Sequence, residues 1–127
     1  MRPMKQVHRL ETESGTLLAD HVELAANPFS RFMGLMFRAE LPPGHGLVIR
    51  PCNSIHMFFM RFPLDVLFVD REDRVVRVLD SIRPWRASSL VRGARAAIEL
   101  PAGTASRAGV APGTVVRLVT GAADPPP

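Results

Sequence analysis

Short apolar runs, each cut off by proline, glycine or a cluster of charges, recur along almost the whole chain and constrain its fold more than any other feature. Twelve prolines and nine glycines lie mainly between these runs, as in domains built of many short elements and tight turns. The pattern predicts strands over residues 7–11, 16–25, 46–50, 55–61, 64–69, 74–79, 94–100 and 114–119. Thr12, Glu13, Ser14 and Gly15 have hairpin-turn chemistry, with Gly15 free to take positive φ. Alternation places Leu18, Asp20, Val22 and Leu24 on one side of the second strand. It sends Val76 and Val78 one way and Arg77 and Leu79 the other, and it turns Ile98 inward. Asn27 as N-cap and Pro28 at the first helical position predict a short helix over residues 29–36. Residues 104–108, followed by Gly109, suit a single helical turn. Together these make a mainly β (β-rich α+β) fold, a small barrel-like or sandwich-like domain of about seven or eight short strands with two short helices.

With 127 residues and 46 % hydrophobic content, the chain can bury a core as one domain over residues 1–120, leaving a flexible tail at 121–127. Cys52 is the sole cysteine, so no internal disulfide forms and no oxidising compartment is implied. No apolar run approaches the length that crosses a bilayer. The first residues are basic but lead into no apolar segment of the kind a secretory signal needs. The expectation is a cytoplasmic protein with no membrane span. A net charge of +4 comes from sixteen basic and twelve acidic residues, with the arginines scattered and the acids interleaved. Solvated faces read that way, whereas a nucleic-acid footprint clusters its basic residues. No nucleic-acid partner is expected, and a moderate preference for anionic partners stays open.

Several blocks of the chain carry a family likeness. The run Arg31-Phe32-Met33-Gly34-Leu35-Met36-Phe37-Arg38 is followed by Leu41-Pro42 and a glycine-led strand at Gly46. Then come Phe59-Met60-Arg61-Phe62-Pro63-Leu64-Asp65, Glu99-Leu100-Pro101-Ala102-Gly103 and Gly109-Val110-Ala111-Pro112-Gly113. In these blocks, which cover about residues 22–118, the chain resembles an uncharacterised family found in bacteria and labelled domain of unknown function 192. Phe59 stands where many members have tryptophan, and Phe62-Pro63 where asparagine and threonine would precede the proline. Many members also carry an N-terminal signal or lipoprotein segment, and this chain resembles a soluble branch without one. The resemblance implies a mainly β fold and supplies no established reaction.

Reactive side chains concentrate between Cys52 and Asp65. In a strand over residues 55–61, His56, Phe58 and Met60 share one face, while Ile55, Met57, Phe59 and Arg61 share the other. Cys52 falls on the His56 face but roughly 13 Å away along an ideal strand. A Cys52 nucleophile with His56 as its base therefore requires the turn at Cys52 and Asn53 to fold back. The plainer alternative is a small buried thiol beside a satisfied strand histidine. His56 with Asp65 as acid and base is the second catalytic candidate. Arg61 and Asp65 flank Phe62-Pro63 and either brace that turn through a charge-assisted hydrogen bond or receive an anionic group. Arg31 and Arg38, nearly two turns apart on the first helix, add to Arg61 as an anion-binding rim or are ordinary solvated arginines. Met33, Met36, Met57 and Met60 belong to methionine- and phenylalanine-rich segments that read first as core. Trp85, between Pro84 and Arg86, either anchors a partner or packs over a barrel end. His8, His21, His45 and His56 show no metal-ligand spacing, so neither a metal nor a cofactor is expected.

These residues support a non-catalytic binding or accessory module with a small polar groove near His56, Arg61 and Asp65. Arg31, Arg38, Asn53, Met60 and Trp85 are further lining candidates, and the partner is an unidentified small molecule or protein. The alternatives are a small enzyme using Cys52, or His56 with Asp65, and a protein-interaction subunit.

Overall fold

A computed structural model describes residues 7–25, 41–52, 54 and 61–121, the side chains of Val7 and Gly121 excepted. Among these residues lie β1 (Val7–Thr12), β2 (Leu17–Ala25), β3 (His45–Ile49), β4 (Leu64–Val69), β5 (Val75–Ile82), β6 (Ala96–Pro101), α1 (Thr104–Ala108) and β7 (Val116–Gly121). The fold is mainly β, as the sequence predicts. The helix expected over residues 29–36 and most of the strand expected over 55–61 lie outside the described residues.

The seven strands form one sheet in the order β5-β4-β6-β3-β2-β1-β7. β2 and β3 pair in parallel; every other neighbouring pair is antiparallel. The sheet curls into a half-barrel, and its two edge strands meet at one end. There Arg74 bridges Val115, and the Val75 and Val116 amides donate to the Thr114 and Asp73 carbonyls at 2.7 and 3.0 Å. Joining the edges satisfies backbone groups that an open sheet leaves exposed.

Apolar residues cover the sheet on both sides. Leu10, Leu18, Val22, Val48, Leu67, Val69, Ile98 and Leu100 form an inner cluster with Ala105 of α1. Leu41, Leu47, Ile49, Leu64, Val66, Phe68 and Val91 form an outer one. This two-sided burial explains why β4 is buried at every position and reads as an unbroken apolar run. At about 1.5–3 kcal/mol for each fully buried large aliphatic or aromatic side chain, β4 contributes heavily to stability.

Two alternation expectations are corrected. Val76 packs on the outer cluster and Val78 on the inner one, because a register shift between β4 and β5 falls between Phe68 and Val69. Likewise Leu18 and Ala19 both join the inner cluster while Leu24 is exposed, beside the irregular β1–β2 register. An extra residue in one strand reverses the facing of all that follow.

α1 has the predicted span and ends on Gly109, whose left-handed φ of 70° lets its N–H reach back into the helix. It packs against β2, β5 and β6.

Candidate functional site

Four of the sequence candidates, Cys52, Arg61, Asp65 and Trp85, are described by the structure. Arg31, Arg38, Asn53, His56 and Met60 lie outside the described residues.

Asp65 is the second residue of β4 and is completely buried. Leu64 and Val66 pack on the outer cluster, so strand alternation turns Asp65 to the inner side. Its Oδ1 accepts the Ser81 N–H at 2.8 Å, and its Oδ2 accepts the Ala105 N–H at 2.9 Å. Ala105 lies in the first turn of α1, whose N-cap residue Gly103 has no side chain to offer. A carboxylate forty residues away thus satisfies an amide that the local sequence leaves orphaned. The expected Arg61–Asp65 brace is corrected accordingly. Arg61 is exposed ahead of β4, and among the described residues it forms no ion pair with Asp65, whose oxygens are aimed at backbone amides instead.

Cys52 is half-buried against the outer cluster. Its thiol donates to the Ser54 carbonyl at 2.9 Å, and its amide donates to the Arg95 carbonyl at 3.0 Å. With Pro51, Ala94 and Arg95 it lines a shallow depression at one end of the outer face. Trp85 is exposed in the connection between β5 and β6.

Sequence reasoning missed Glu99. It lies opposite Leu47 of β3 and Val66 of β4, on the outer side with Ala97, and is only 6 % exposed. Burial pushes its pKa up to about 7, since desolvation favours the neutral form of a carboxyl. The signal was available: Glu99 is the single charged residue in the apolar run of β6.

A second group was also missed. The parallel β2–β3 register sets His21 opposite His45, and their rings stack with centroids 5.0 Å apart. Asp20 Oδ1 accepts from His21 Nδ1 at 2.9 Å, which lowers the Asp20 pKa. Both members of that pair are exposed. Among the described residues no three histidine, cysteine or acidic side chains converge to hold a metal ion, and no helix is long and apolar enough to cross a membrane.

The pattern of the family DUF192, described as "Uncharacterized ACR", matches residues 9–118. The chain belongs to the DUF192 family. Relatives named UPF0127 protein include one from Pyrococcus abyssi, 38 % identical over 78 % of this chain and 86 % of its own length. Another, from Thermococcus gammatolerans, is 38 % identical over 70 % of this chain, which spans 60 % of that relative. Among solved structures, a protein of unknown function from Novosphingobium aromaticivorans is similar with a TM-score of 0.75 and 27 % identity, over 87 % of this chain and 83 % of that one. A Sinorhizobium meliloti protein provisionally described as a transcription regulator is similar with a TM-score of 0.72 and 29 % identity, over 92 % of this chain and 96 % of that one. The geometry gives the DUF192 likeness a physical content. Two of the blocks that carry it meet where Asp65 of the first binds Ala105, just beyond Gly103 of the second.

Proposed function

We propose that this DUF192 chain is a binding module for a small ligand, with its groove on the outer face of β3, β6 and β4. The observation that carries this reading is Glu99, an acid buried between Leu47 and Val66 whose pKa burial raises to about 7. Burying a carboxyl costs stability, and strongly perturbed acids concentrate at functional sites. A carboxyl with a pKa of about 7 can donate or accept a hydrogen bond at neutral pH, so it suits a ligand bearing an amine or hydroxyl group. Cys52 lies at one end of this face and Phe62 packs on the same outer cluster. His56, Arg61 and Met60 stay with the proposal as sequence candidates. Asp65 enters it through its hold on Ser81 and α1. A lone thiol supports a cytoplasmic setting as part of the same proposal.

The test is a thermal-shift screen of small amines and alcohols against the wild-type protein and Glu99→Leu. The expected result is a set of compounds that raise the wild-type melting temperature and lose that effect in the variant. Compounds that stabilise both proteins equally, or none that stabilises the wild type, would sink the proposal. Acid–base catalysis is the second reading, favoured by the same group, because a pKa near 7 keeps proton donor and acceptor both populated.

A further inference from the structure

Between Ser81 and Ile98 the chain carries Arg83, Arg86, Arg92 and Arg95 and no acidic residue. Where residues 70–77 alternate acids and arginines, this connection carries charge of one sign. All four arginines are exposed, and none forms an ion pair among the described residues. The same connection carries the two most exposed large apolar side chains described, Leu90 at 74 % and Trp85 at 59 %. Single exposed apolar residues are ordinary, but an indole and a leucine within one basic connection are a combination that invites a partner.

The connection is held at several points. Val91 and Ala94 are buried in the outer cluster. Arg77 Nη1 approaches Ser89 Oγ at 3.5 Å, and the Arg86 amide donates to the Arg83 carbonyl at 3.3 Å. Trp85 sits within that turn at a left-handed φ of 67°, a conformation bulky residues rarely adopt. The fold accepts this backbone cost while leaving the indole largely in solvent.

We propose that the β5–β6 connection is a docking surface for an anionic membrane. Charge complementarity selects the class: guanidinium groups pair with lipid phosphates, an indole prefers the headgroup level, and a leucine partitions beneath it. A single-stranded nucleic acid would reward successive aromatic faces, whereas this connection has one aromatic residue, and Leu90 offers nothing to a base edge.

Trp85 is the only tryptophan in the chain, so its intrinsic fluorescence reports directly on this surface. Full-length protein is mixed with vesicles of phosphatidylglycerol and phosphatidylcholine in equal parts, and with pure phosphatidylcholine vesicles. The expected result is co-sedimentation with the anionic vesicles only, a blue shift of the Trp85 emission, and release at high salt. The combined variant Arg83→Gln, Arg86→Gln, Arg92→Gln should bind on the order of a hundredfold more weakly, at about fivefold per charge. Its unchanged thermal unfolding would show that the fold is intact. Absence of co-sedimentation at low salt overturns the proposal, and so does equal affinity of the triple variant. A blue shift with poly-glutamate but not with vesicles would assign the surface to an acidic protein and overturn it as well.

Discussion

Asp65 and Glu99 lie on adjacent strands, one register step apart, since Asp65 pairs with Leu100 and Glu99 with Val66. Both are buried, yet they face opposite sides of the sheet and have opposite fates. On the inner side, Asp65 receives two backbone amides from elements that must be positioned anyway, Ser81 and the start of α1. On the outer side, Glu99 lies between Leu47 and Val66, and burial raises its pKa to about 7. Burial of an acid therefore says little by itself. What surrounds the acid decides whether it braces the fold, as backbone amides make Asp65 do, or has its charged form disfavoured by desolvation, as apolar neighbours do to Glu99.

The sharpest way to break this contrast is Asp65→Ala. It leaves the Ser81 and Ala105 amides without their acceptor, and urea unfolding should show a loss of roughly 3–5 kcal/mol. A loss within experimental error would show that Asp65 is not a brace. Next comes the pH dependence of Glu99. Its folded pKa lies above the ordinary value of 4.5, so its contribution is most favourable below about pH 4.5. That contribution declines as pH rises toward about 7, by roughly 3 kcal/mol in all. Glu99→Gln removes this component, and the difference between the two stability–pH curves isolates it. Coincident curves across that window would refute the assignment. In mildly alkaline buffer Glu99→Leu should stabilise the protein by roughly 1–3 kcal/mol, because an apolar side chain replaces a desolvated charge. Such a gain is what a residue kept for function, at the expense of stability, predicts. The smallest effect belongs to Thr104→Ala, which removes a 2.7 Å hydrogen bond from its hydroxyl to the Pro101 carbonyl. It should cost about 1 kcal/mol by thermal unfolding. A cost matching that of Asp65→Ala would show that α1 is held mainly by its own first residue.

Parts of this molecule are legible in the chain. The apolar run Leu64–Val69 and the single turn Thr104–Ala108 occupy the residues expected of them, because length, flanking proline and glycine, and local periodicity suffice to mark such elements. Facing is less legible. Val76 and Val78 part company across a register shift that depends on how β4 pairs with β5. The candidate site was legible in its residue types and illegible in its roles. Asp65 stands out as an acid across the Phe62-Pro63 turn from Arg61, but its partners are amides sixteen and forty residues away. Glu99 stands out only once β3 and β4 are known to flank it with Leu47 and Val66.

The sequence by itself determined the mainly β character, the turn at Gly15, the helix stop at Gly109 and the family likeness, all of which depend on neighbours along the chain. Tertiary structure alone decided which acid braces backbone amides and which has its pKa raised by burial. It also brought His21 onto His45 through a parallel register. The physical reason is the same in each case. Desolvation and hydrogen bonding act over a few ångströms of space, and a curled sheet brings within that range groups that the chain keeps far apart.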